Sequence, residues 1–269
     1  MIPLAHSIAV SCYLGAAALA AAPFARPVAA PVRGVLALLT AGVVAHVAAL
    51  AEVTFVRGAV PLAGLGPSLS AAGFALAVTL LATELLARDV SLTLVAAPVA
   101  ALCTAAGAAV RAIPLVQPRG AELFWRDAHI ALSIAGIAAF ATAAAAGSMY
   151  LLQRRELRSR RFGAVFRFFP PLATLDRVNH VAAVAGWVGL TLGVALAIGY
   201  SLAYSRVDVA QTVWGVLAWV GVTTVALGRT LRGWQARRAA IASSVVFAAV
   251  LAAYVALRMV VGAGADEFL

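Results

Sequence analysis

The chain contains no lysine; all 20 of its basic residues are arginine. Acidic residues number 10, and charged residues of both signs make up only 11% of the 269 residues, less than half the share in a soluble domain, about 25%. The material of a water-facing surface is therefore scarce. The apolar share is 64%, more than one soluble core can hide, against roughly 45–50% in soluble domains. The apolar runs are long and continuous, which excludes the short alternating segments of a transmembrane β-barrel. What remains is an all-α polytopic membrane protein. The two cysteines, Cys12 and Cys103, stand singly in apolar runs. No CxxC, CxxCH or zinc spacing occurs, so neither a redox pair nor covalent haem attachment is supported. A Walker A loop, a GxSxG elbow, an HExxH motif and a carboxylate pair at acid–base spacing are missing too, and the chain is not expected to be an enzyme. Carboxylates inside the apolar runs are nearly absent. Glu52 and Glu84 fall at run ends, where a carboxylate is expected to reach headgroup water. A proton- or ion-coupled transporter usually carries ionisable groups or broken helices at the midplane, so that class ranks lowest.

A membrane span needs about 20 apolar residues. Eight runs meet that length, near 3–22, 34–53, 68–87, 91–110, 128–151, 179–200, 211–228 and 240–260, separated by Pro, Gly and charge. They predict a single transmembrane domain over 1–269. The first run lacks a basic leader and continues into further spans, so it reads as a retained helix rather than a cleaved signal. The loops after the odd-numbered spans hold fourteen arginines and the opposite side six. By the positive-inside rule both termini lie outside. This asymmetry also accounts for the +10 net charge without nucleic acid. The lysine-free, alanine-rich composition points to a GC-rich bacterial genome and thus to the bacterial cytoplasmic (inner) membrane.

Residues 152–178 form the most basic connection. There Phe162, Val165, Phe166, Phe168 and Phe169 alternate with arginines ahead of Pro170 and Pro171. This predicts a cytoplasmic, basic, amphipathic segment lying on the inner lipid surface; the other reading is a docking site for a cytosolic partner.

Four histidines carry the remaining chemistry. His46 lies inside span two, about 10 Å below its outer end at 1.5 Å per residue. A polar ring at that depth must face protein or a cavity, and spacing leaves both an interhelical hydrogen bond and an iron ligand open. His129 opens span five beside Trp125, where an aromatic-belt residue competes with a ligand. His180 and His6 read as interfacial. Gly186 and Gly193, near Trp187, read as packing glycines.

Several segments follow one another in a telling order: "AGVVAHVAALAEV", "VPLAGLGPSLSAAGFAL", "FWRDAHIALSIAGIAAF", "GSMYLLQRRELRSRR" and "FPPLATLDRVNHVAAVAGWVGLTLGVALAIGY". Together they resemble the cytochrome c assembly protein family, in its small eight-span CcsA-like/HemX-like branch. The resemblance implies haem handling. Full-length members of that family deliver haem to the outer face for attachment to apocytochrome c, with outer histidines as axial ligands beside a tryptophan-rich WWD segment. On this resemblance His129 matches the first outer histidine and His46 the histidine of span two. Both become candidate ligands of haem iron, with Trp125 and Trp214 as flanking cofactor-binding surfaces and haem b as the cofactor.

The departures are specific. Where the family shows a WGxWWxWDPKE-type stretch, this chain has "YSLAYSRVDVAQTVWGVLAW", in which Asp208, Gln211, Trp214 and Trp219 look like a remnant. The histidine expected near the end of span seven is replaced at about Leu227, and "GAGADEFL" lacks the second outer histidine. The reading is a HemX-like haem-handling or haem-chaperoning protein of cytochrome c maturation, partnered by the lipid bilayer and by other maturation subunits or a cytosolic tetrapyrrole-synthesis enzyme. The rival is a haem-free regulatory or scaffolding subunit.

The orientation is open to test. In a background without Cys12 and Cys103, a cysteine placed in "QPRGAELF" should react with an impermeant maleimide added from outside, and one in "LRSRRFG" should not. The reverse pattern inverts the topology and puts His129 on the cytoplasmic side.

Overall fold

The computed structural model describes residues 2–25, 31–57, 61–62, 64–87, 89–110, 120–160, 168–204 and 208–262. Among them are eight α-helices: α1 (Ile2–Ala25), α2 (Val32–Arg57), α3 (Leu65–Ala87), α4 (Thr93–Ala109), α5 (Ala121–Ser159), α6 (Leu172–Tyr204), α7 (Val209–Thr230) and α8 (Ala236–Gly262). Seven are long and apolar enough to cross a membrane; α4, with 17 residues, is the short one. Helices are forced here because each satisfies its own backbone polar groups where water is missing. The result is the expected all-helical polytopic membrane protein, one helix per predicted span.

Boundaries differ where charge misleads. The helix of span five begins at Ala121 and runs to Ser159, so Arg154, Arg155 and Arg158 project from helix rather than loop. Most of the predicted amphipathic segment, residues 161–167, lies outside the described residues. Phe168 just beyond it stacks on Phe24 at the end of α1, with ring centroids 3.7 Å apart.

Helices α1–α4 pack mutually, as do α5–α8, and α3 against α5 joins the two groups. Lipid is as apolar as leucine, so such contacts rely on small residues that let backbones approach. A Cβ added at Gly73 in α3 would meet Ala100 O of α4 at 2.8 Å, and one at Gly107 in α4 would meet Ser70 N at 2.6 Å. Between α5 and α6, a Cβ at Gly136 would meet Leu190 N at 2.7 Å, and one at Gly186 would meet Gly136 O at 2.9 Å. Gly147 has the same role against Ala240 and Ser243 of α8. Helix α6 is continuous through Gly186 and Gly193, so these are packing glycines.

Glu84 corrects an expectation. It does not reach headgroup water but turns inward at 1% exposure. Its Oε1 accepts hydrogen bonds from the backbone N–H of Thr93 (2.8 Å) and from Thr93 Oγ1 (2.9 Å). The first N–H groups of a helix have no intrahelical partner and favour negative charge. Glu84 meets that need for α4 from the end of α3.

The ends of the bundle differ. Call the side of the α1–α2, α3–α4, α5–α6 and α7–α8 connections the arginine-rich end, and the opposite side the arginine-poor end. In α1–α3 burial extends toward the arginine-poor end, to His6, Ala9, Gly66 and Ser70. In the second group it stops midway. None of residues 121–135, 194–204, 209–217 and 244–257 is buried, although α5 and α6 touch there. The arginine-rich halves are held by Asn179, which donates to Ala143 O and Ser243 Oγ (both 2.7 Å), and by the two-pronged Arg229–Asp176 ion pair.

Gly136→Ala and Gly186→Ala should each lower thermal stability in detergent, by about 1–3 kcal/mol as for other overpacked sites. Gly215→Ala, where an added Cβ meets nothing within 4 Å, should be neutral or slightly stabilising. Equal melting for all three would remove the close α5–α6 contact as a constraint.

Candidate functional site

Along α5, Glu122, Trp125, His129, Ser133 and Gly136 recur at spacings of three and four, which places them on one helical face. That face meets α6. Tyr200 donates to Glu122 Oε1 at 3.0 Å. Trp125 fills the space beside Gly199 that a side chain would occupy, and a Cβ on Gly193 would strike Ser133 Oγ at 2.5 Å. Between them His129 places Nδ1 2.8 Å from the backbone carbonyl oxygen of Gly193.

A carbonyl oxygen can only accept, so Nδ1 carries the proton and donates. In a neutral imidazole this leaves Nε2 with the lone pair. An Nδ1–H bonded to a backbone carbonyl is the arrangement that orients a metal-ligating histidine and raises its basicity. The ring is half-buried, at the level where α5–α8 bury nothing. The site thus combines a fixed tautomer with a side of the bundle not filled by its own side chains.

His46 is placed differently. It is fully buried, and both ring nitrogens are engaged. Nδ1 pairs with Tyr13 OH at 3.3 Å and Nε2 with Ser70 Oγ at 3.0 Å. His6, expected at the interface, is instead buried, with Nε2 3.1 Å from the same Ser70 oxygen. It is drawn in because α1 packs beside α2 and α4 and Ser70 supplies a polar partner at its level. The His6 and His46 rings lie 5.6 Å apart edge to face. Their Nε2 atoms both approach one oxygen, yet the rings are closer than a straight N–O–N line would allow. They therefore meet Ser70 at a bend rather than from opposite sides, and Phe74 closes the far side of His46 at 5.4 Å. A ligand iron at His46 would have to take Ser70's place. Among the described residues no group of three His, Cys, Asp or Glu gathers around a common point.

The structure does not bring the four sequence candidates together. His129 and Trp125 share the α5–α6 face. His46 belongs to α1–α3. Trp214 belongs to the α7–α8 hairpin, where its Nε1 donates to Val250 O at 3.1 Å and its ring sits 5.1 Å from Tyr254. Asp208 caps α7, its Oδ1 accepting from Gln211 N at 3.0 Å. Trp219 donates from Nε1 to Thr191 Oγ1 at 3.0 Å. His180 is half-buried, as suits a histidine near the interface. Sequence reasoning missed Tyr13, Ser70 and the Gly193 carbonyl, which decide what the two histidines can do. Only Gly193 left a trace, as a small residue in the run of glycines on α6.

A family model described as Cytochrome C assembly protein matches residues 43–263. The match takes in His46, Ser70, His129 and Trp214 and leaves out α1 with His6 and Tyr13. No curated protein and no solved structure matches the chain.

Ser70→Ala should destabilise the protein by about 1–3 kcal/mol, because it removes the shared partner of two buried imidazoles. Thr224→Ala, whose hydroxyl is exposed and bonds to its own helix at Val220 O, should stay within about 0.5 kcal/mol of the parent. Thermal melts of both variants in one detergent decide it: a Ser70→Ala melt no lower than that of Thr224→Ala would mean that the hydroxyl contributes nothing to holding α1, α2 and α3 together.

Proposed function

This chain belongs to the cytochrome c assembly protein family, and we propose that it holds haem b at the outer face of the bacterial cytoplasmic membrane as a HemX-like chaperone of cytochrome c maturation, without itself catalysing attachment. The observation that carries the reading is the His129–Gly193 hydrogen bond. It leaves Nε2 of His129 as a neutral lone-pair donor, the form in which imidazole ligates iron. Bound haem would supply a metal centre that accepts that lone pair and an apolar ring that favours a lipid-level site. The chain's own part is binding and orientation. His129 offers the ligand, Gly193 holds its ring, and Trp125 and Trp214 offer aromatic surface. The less filled halves of α5–α8 leave room on the side that the arginine count assigns to the outside. From there a guest meets a periplasmic partner, such as another maturation subunit, without crossing further lipid.

His46 has a lesser part in this reading. Its nitrogens are committed to Tyr13 and Ser70, so it is a second iron ligand only if Ser70 gives way. With one histidine in place, ligation is weaker than in a family member with two outer histidines, and added imidazole should compete for it.

The test is spectroscopic. Protein made in haem-replete cells, or titrated with haem, should show a Soret band that His129→Ala shifts or abolishes while the variant stays monodisperse. His46→Leu should change the band less than His129→Ala does. A wild-type protein that carries no haem and takes up none overturns the proposal. The haem-free scaffolding role, with a cytosolic tetrapyrrole-synthesis enzyme bound at the arginine-rich end, would then stand in its place.

A further inference from the structure

One charged pair at the arginine-poor end is not explained by packing. Arg126 lies one turn before His129 on α5. Its Nε (3.0 Å) and Nη2 (2.8 Å) both donate to the single oxygen Oδ1 of the next residue, Asp127. The two side chains are only 18% and 14% exposed. They lie in the stretch 121–135, where no residue is buried.

Adjacent residues on a helix do not face each other, so the two side chains must bend together to meet. A carboxylate best pairs with arginine through two parallel N–H···O bonds, one to each oxygen. Asp127 instead offers one oxygen to two donors. It balances the charge of Arg126 in surroundings too shielded for a bare guanidinium, but it does not match the guanidinium's fork. This is the arrangement of a counterion that a better-shaped carboxylate can replace.

Position supplies the second half of the argument. In an α-helix the Cα–Cβ bond tilts toward the N-terminus, and the N-terminus of α5 is at the arginine-poor end. The side chain of Arg126 therefore starts about 4.5 Å nearer that end than His129 and leans further toward it. A guest fixed through its centre at His129, with an anionic edge turned to water, would place that edge on the Arg126 side. We propose that Arg126 grips a carboxylate on the edge of the tetrapyrrole guest, with Asp127 as the counterion it exchanges for that carboxylate. The pair thereby selects for a tetrapyrrole with free acid side chains and sets which edge faces outward. This rests on the haem-binding reading above and adds to it the chemistry of the guest's periphery.

The experiment compares two guests on the full chain in lipid nanodiscs: haem, and haem dimethyl ester, in which both carboxylates are masked. Wild type should bind haem roughly tenfold or more tighter than the ester, as a charge-assisted bidentate bond implies. Arg126→Gln should bring haem down to the affinity of the ester and leave the ester unchanged. Asp127→Asn should tighten haem several-fold without affecting the ester. Arg126→Lys, which keeps the charge and loses the fork, should retain part of the preference, and it decides the matter if Arg126→Gln is not monodisperse. His129→Ala should alter the Soret band for both guests while the preference for free acid persists. A haem-to-ester ratio in Arg126→Gln or Arg126→Lys equal to that of wild type overturns the role of Arg126 and leaves haem binding standing. If neither guest binds wild type, the haem-binding reading itself falls, and this inference falls with it.

Discussion

The contact on which the rest depends is the near approach of two helix backbones, α5 and α6. Gly136 and Gly186 leave no room for a Cβ between them, and Gly189 extends the contact toward Leu132. Because the backbones meet, a main-chain carbonyl of α6 comes within 2.8 Å of an imidazole on α5. A larger side chain at the crossing would separate the helices and leave the His129 ring without the acceptor that fixes its proton. Packing thus determines which nitrogen of His129 can act as a ligand. The same close pair anchors α8 through Gly147 and Ser243, and α7 follows through the Arg229–Asp176 bridge.

Two histidines of the same side are put to opposite uses. His46 has each nitrogen bound to a hydroxyl, within a cluster that ties α1, α2 and α3 together. His129 has one nitrogen bound and sits where the surrounding helices stop burying one another. A satisfied imidazole is worth most as structure; a half-satisfied one at an unfilled face is worth most as a ligand. The difference comes from hydroxyls on neighbouring helices, Tyr13 and Ser70, against a backbone oxygen, Gly193, and not from the depth of either histidine.

The eight spans were legible because hydropathy and length are one-dimensional properties, and every apolar run became a helix. Family membership was legible from the order of segments. The pairing of side chains was not, because a lipid-embedded helix is apolar all round and its sequence does not mark the inward face. Glu84 shows the cost. Its place at the end of a run suggested contact with headgroups, yet the unsatisfied first turn of α4 draws it inside. His6 looked interfacial for the same reason and is held by Ser70, whose place in "GPSLS" carries no signal of such a role. Trp125 and His129 could be read as neighbours from their spacing of four. That Trp214 turns to Tyr254 could not, since it depends on how α7 meets α8.

Helix α4 carries a consequence of another kind. Its 17 residues rise about 25 Å, short of a hydrocarbon layer of roughly 30 Å. Its start is tied to the buried carboxylate of Glu84, so it cannot shift to share the deficit. Val95, Val99 and Leu102 are exposed along its outer side, which puts this short wall against lipid. The bilayer meeting that wall has to thin by about 5 Å, at a cost of fractions of a kcal/mol for each ångström. Around its circumference the protein therefore has one flank that prefers short acyl chains and others that do not, and hydrophobic thickness alone gives it a preferred neighbour side in the plane of the membrane.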